Sequence, residues 1–108
     1  MPGQDAYRVD VVSVDGSVLV RLSGEIDLSA RDDLIATVSP LIEDASSRPV
    51  ALDMAEVTFL DSSGISALVT LSTQSEGIVK VHNPSDVVAR TLSISGCDFL
   101  IGSTEQTP

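Results

Sequence analysis

Asp61-Ser62-Ser63-Gly64 is the tetrapeptide with the clearest chemical potential in this chain. It stands directly before Ile65, Leu68, Val69 and Leu71, whose spacing follows the period of a helix that ends near Ser75. Two hydroxyls at a helix start lie beside unpaired amides and the positive end of the helix dipole, which together can receive an anion such as a phosphoryl group. The same residue types are the favoured helix caps, so the tetrapeptide also reads as an ordinary capping sequence. Glu25-Ile26-Asp27 is a second candidate, acidic and expected in the turn before another helix; its plain alternative is a solvated loop.

Hydrolytic chemistry at Ser63 requires a base, and His82 is the single imidazole. No Gly-x-Ser-x-Gly elbow surrounds the serine, and His82 ends an expected strand just before Asn83-Pro84. Asp27 and Asp61 are carboxylates that in principle do acid-base work, but so small a domain offers them little cleft. Cys97, the only cysteine, excludes an internal disulfide, and with one histidine it cannot complete a zinc cage. It reads as a small core residue. No metal is expected, no Walker-type loop marks a nucleotide cofactor, and the chain is not expected to be an enzyme.

The 108 residues suit one domain, taken as 1–108 with a core over about 7–101, and 43% hydrophobic content is enough for one packed core. Six Lys and Arg against sixteen Asp and Glu give a net charge of -10, which repels phosphate backbones and anionic membranes. Nucleic acid is therefore not an expected partner. No apolar run approaches the roughly 20 residues that span a bilayer, and Met1-Pro-Gly-Gln-Asp has neither a basic stretch nor an apolar export region. These features, with one cysteine, lead to an expectation of a cytoplasmic protein without direct membrane insertion.

The elements that must position the candidate residues follow from periodicity. Tyr7 to Val14 and Val18 to Leu22 alternate around Asp15-Gly16, a hairpin pattern. Leu34, Val38, Leu41 and Ala45 form one stripe of a helix expected over Ala30 to Ala45, capped by Ser29, with Asp32 and Asp33 in its first turn and Pro40 bending it or loosening its end. Val50 to Met54 reads as a strand buried on both faces, Ile78 to His82 as another, and Ser85 to Ser95 as a third helix closed by Gly96. Cys97 to Ile101 is expected as a final short strand, followed by a polar tail. The order β-β-α-β-α-β-α-β implies an α/β domain with a mixed sheet of four to five strands and three to four helices on one or both faces.

Gly24-Glu25-Ile26-Asp27 with Ser29-Ala30, then Leu60-Asp61-Ser62-Ser63-Gly64-Ile65, then Asn83-Pro84 and Ser95-Gly96, resembles the STAS family, specifically bacterial anti-sigma-factor antagonists. The resemblance implies a STAS-like fold and a partner switch. The unphosphorylated protein binds an anti-sigma factor that is also a serine kinase and so releases a sigma factor; phosphorylation ends the binding, and a phosphatase restores it. It places the phosphorylated hydroxyl on Ser63, with Ser62 as the alternative, and partner contacts around Glu25, Asp27, Asp61, Ser62, Gly64 and Ile65. The competing implication is a STAS-type accessory subunit of a membrane transporter, docking through the same surface without phosphorylation.

Electrostatics alone can operate such a switch. A phosphoserine dianion about 5 Å from one carboxylate, at an effective dielectric of about 20 to 80, is repelled by roughly 2 to 7 kcal/mol before salt screening. The low end already exceeds the roughly 1.4 kcal/mol that changes affinity tenfold.

Overall fold

The alternation that marks the strands also decides which side of the sheet is covered. The computed structural model describes residues 6–14, 16–45 and 49–102. Strands β1 (Arg8–Val14) and β2 (Ser17–Ile26) form the expected antiparallel hairpin, with Val14 opposite Ser17 and Gly16 in the left-handed region at φ +77°. Asp15, the other half of the turn dipeptide, lies outside the described residues, as do Ser46 to Arg48, the N-terminal Met1 to Asp5 and the tail from Ser103. Strand β3 (Val50–Leu60) pairs in parallel with β2, and β4 (Val79–His82) in parallel with β3, giving the order β1-β2-β3-β4. Helices α1 (Leu28–Ala45) and α2 (Ser62–Gln74) make the two crossovers, and α3 (Asp86–Ile94) follows β4.

Val18, Val20 and Leu22 of β2 and Leu52 and Met54 of β3 are buried against Leu34, Leu68 and Leu92 of the three helices. Their strand neighbours Arg21, Ala51 and Asp53 are not buried, so helices cover one face and leave the other open. The expectation that Val50 to Met54 is buried on both faces is therefore corrected. A sheet with one solvated face retains the in-out alternation seen along these strands.

Further boundaries differ from expectation. Helix α1 begins at Leu28, because the Asp27 carboxylate and not Ser29 caps it; Asp32 and Asp33 thus fall beyond the first turn. The helix ends at Ala45 as expected, running through Pro40. Pro40 and Ala36 are both on the exposed side, so water can satisfy the Ala36 carbonyl that the missing N–H abandons. The expected final strand is instead a 3-10 helix, η1 (Asp98–Leu100), followed by a single parallel bridge from Ile101 to Val81. The tight turn buries Leu100 while Asp98 and Phe99 stay exposed, and among the described residues it is Ile101 and Gly102 that run along β4. The Gly102 amide donates to the Val81 carbonyl at 2.8 Å.

The end of α3 is as expected. Gly96 adopts φ +73°, and the Cys97 and Gly96 amides return to the Leu92 and Ser93 carbonyls at 2.8 and 3.1 Å. This pairing satisfies carbonyls that a helix end otherwise leaves open. Among the described residues no helix is long and apolar enough to cross a membrane.

Candidate functional site

Two aspartates bring the candidate motifs to one end of the sheet. Gly24, Glu25 and Ile26 belong to the end of β2 and are not a loop, which corrects the expected turn; Asp27 is the first residue beyond the strand. On β3 the corresponding end is Leu60, directly opposite Ile26, with Asp61 next. The parallel pairing therefore sets Asp27 and Asp61 side by side at the starts of α1 and α2.

This alignment depends on two extra residues in β3. Arg21 lies opposite Asp53, Ser23 opposite Glu56, and Glu25 opposite Phe59, so β3 advances by one residue at each of two irregularities. Such bulges sharpen local twist and leave backbone groups without ladder partners. Ser85 holds the same stretch of β3: its amide donates to the Met54 carbonyl at 3.1 Å and its hydroxyl to the Val57 carbonyl at 2.7 Å. The same hydroxyl accepts from the Val88 amide at 3.3 Å and caps α3.

Asp61 caps α2. One carboxylate oxygen accepts from the Ser63 and Gly64 amides at 2.9 and 3.1 Å, and the Asp61 carbonyl accepts from the Ile65 amide at 2.9 Å. Asp27 does the same for α1, accepting from the Ser29 amide at 3.0 Å and the Ser29 hydroxyl at 2.7 Å. The Ser29 hydroxyl bond is the main reason the Asp27 carboxyl is held below the ordinary aspartate value; desolvation opposes it, and backbone amides at the start of α1 add to the lowering. Both helix ends thus already carry an anion. A further anion brought to either helix start therefore meets negative charge.

Ser62 is exposed and Ser63 half-buried, the latter with its amide bonded to Asp61. Glu25 is exposed beside Phe59, while Ile65 is half-buried and packs on the core. Gly64 is buried, and its contribution is room: a Cβ there would meet the Leu60 side chain and lie 2.7 Å from the Ile26 carbonyl oxygen. His82 is not brought to Ser63. It pairs with Asp53, seven residues before Leu60 on β3, which is roughly 20 Å along a strand.

Sequence reasoning missed two apolar residues at this end. Leu28 is 72% exposed and Phe59 45% exposed. Leu28 was legible in part: six residues before Leu34, it lies about 240° round the helix, off the buried stripe. Phe59 was hidden by the bulges, which break the alternation that assigns strand residues to faces.

The family model for the STAS domain matches residues 8–108. The chain belongs to the STAS domain family. Its fold is shared with an anti-sigma factor antagonist from Mycobacterium paratuberculosis, at 26% identity and a TM-score of 0.77, over 91% of this chain and 85% of that one. The anti-sigma factor antagonist SpoIIAA in its unphosphorylated form is similar at 23% identity and a TM-score of 0.74, over 92% of this chain and 90% of that one. The phosphorylated form of SpoIIAA, a Bacillus cell fate determinant, gives 21% identity and a TM-score of 0.66, over 94% and 93%. The two likenesses to SpoIIAA bear on the fold alone.

Two outcomes follow for this STAS domain. Gly64→Ala lowers the unfolding free energy measured in urea by about 1–2 kcal/mol, because overpacking against the Ile26 carbonyl outweighs the roughly 1 kcal/mol helix preference of alanine. Because the folded Asp27 carboxyl is depressed, its cap contributes fully above the unfolded aspartate range and is lost as pH falls through the folded value. An NMR carboxyl titration places Asp27 below an ordinary aspartate in the native protein and returns it toward the ordinary value in Ser29→Ala.

Proposed function

We propose that this STAS domain is an anti-sigma-factor antagonist whose docking is switched by phosphorylation at the start of α2. The observation that carries this reading is the pair of aspartate-capped helix starts, Asp27 and Asp61, held level beside Ser62 and Ser63. Similarity to the Mycobacterium paratuberculosis antagonist supports the role. The site is a surface: Glu25, Leu28, Phe59 and Ser62 are exposed, and the arrangement suits contact with a protein face.

In the unphosphorylated state the exposed end of the sheet binds an anti-sigma factor with serine kinase activity, and a sigma factor is released. The kinase transfers a phosphoryl group to Ser63, or alternatively Ser62. A phosphate on Ser63 stands beside the Asp61 carboxylate, which is itself bonded to the Ser63 amide. The Ser63 and Gly64 amides of its own helix start are already held by Asp61 and so do little to neutralise it. The added charge therefore acts outward, against the partner, while the fold stays in place. A phosphatase resets the protein, and the cycle runs in the cytoplasm without a cofactor of this chain.

The test is capture from native lysate with Ser62→Ala/Ser63→Ala bait beside Ser62→Glu/Ser63→Glu bait, then titration calorimetry on the partner identified. The expected result is a serine-kinase anti-sigma factor on the alanine bait, with affinity for Ser63→Glu reduced at least about tenfold. A transporter ATPase on both baits, or equal affinity for both variants, contradicts the reading.

A further inference from the structure

The face of the sheet that no helix covers carries an ordered pattern of charge. In strand register, Asp10 lies opposite Arg21, Arg21 opposite Asp53, and Asp53 opposite His82, so one row crosses all four strands with alternating acid and base. The row above it holds Arg8, Ser23 and Glu56; the row below holds Val12, Leu19, Ala51 and Lys80. Residues directly opposite in a ladder project to the same side. Among the described residues none of these charges reaches ion-pair distance of another, the one such pair being Arg31 with Asp32. Asp53 accepts from the Ala55 amide and Lys80 donates to the Phe99 carbonyl.

Two properties single out this face. It is balanced: Arg8, Arg21 and Lys80 match Asp10, Asp53 and Glu56, leaving three basic and thirteen acidic residues for the rest of the chain. A second copy of this acidic protein is repelled least here. The pattern is also its own complement. Rotation about a two-fold axis along the strands, between β2 and β3, sets β1 over β4 and β2 over β3 of the other copy. Arg21 then faces Asp53 twice, Asp10 faces His82 twice, and Leu19 faces Ala51. An isologous interface requires this kind of self-matching.

We infer that the open face is a self-association surface, on which a second copy of this chain docks face to face through reciprocal Arg21–Asp53 contacts. Stacked sheets sit about 10 Å apart, a gap that two facing long side chains span. The three rows cover roughly 300 Å² in projection, below the about 800 Å² per partner of a standard interface, so the association belongs to the weak, concentration-dependent class. The inference stands apart from the phosphorylation reading, because Ser62 and Ser63 begin α2 and are not in the rows.

Sedimentation equilibrium of the full chain, with Arg21→Asp and Asp53→Arg alone and in equimolar mixture, tests it. The wild type associates reversibly as concentration rises. Each single variant weakens this by about tenfold or more, since two attractive contacts become repulsive. The mixture regains it, because both carboxylates of the Arg21→Asp chain then face both guanidinium groups of the Asp53→Arg chain. Thermal melts check that each variant is folded, and concentration-dependent NMR shifts of the wild type centre on Leu19, Arg21, Ala51 and Asp53. A wild type that stays monomeric overturns the inference. So do shifts centred elsewhere, single variants that associate like the wild type, or a mixture no better than its components.

Discussion

The close approach of Gly64 to the Ile26 carbonyl is the contact on which the candidate site of this molecule depends. It sets the start of α2 against the end of β2, where a Cβ on residue 64 would run into the Ile26 carbonyl and the Leu60 and Ile26 side chains. Once that distance is fixed, the pairing of Ile26 with Leu60 makes the caps of α1 and α2 neighbours. The serines that follow Asp61 inherit their position from this backbone contact, and with it the negative surroundings that a phosphate would meet. A larger residue at 64 would tilt or lift α2 and separate the two aspartates.

The bulges of β3 serve the same end. Without their two extra residues, Ile26 would pair with Thr58, and the β3 crossover would begin higher than that of β2. The β4 ladder stops at Asp53, and beyond it Ser85 bonds to the Met54 and Val57 carbonyls while starting α3. Ser85 thus ties the bulged stretch of β3 to the start of α3. Removing the Ser85 hydroxyl would loosen both the bulge and the third helix.

The hairpin, the second helix and the glycine stop after α3 were legible because each rests on local rules: alternation around Asp15-Gly16, a 3.6-residue stripe from Ile65, and a left-handed residue at Gly96. The aspartates at 27 and 61 were visible as candidates by residue type. That Asp27 rather than Ser29 caps α1 was not visible, since both residues accept amides equally well and only the end of β2 decides between them. Cys97 to Ile101 reads as a strand in sequence because a five-residue, largely apolar run carries too little periodicity to separate a strand from a tight helical turn. The bulges and the exposure of Phe59 were hidden for a related reason: register belongs to a pair of strands, and one strand's sequence does not contain it. The distance of His82 from Ser63 likewise came only from the unequal lengths of β3 and β4.

The central claim is that charge placed beside Asp61 controls whether this STAS domain is docked. The most direct measurement is site-resolved phosphopeptide mass spectrometry of the native protein, separated into partner-bound and free pools before digestion. The account predicts phosphate on Ser63, or alternatively Ser62, in the free pool and its absence from the anti-sigma-bound pool. Equal occupancy of the two pools, or a bound pool richer in phosphate, would contradict it.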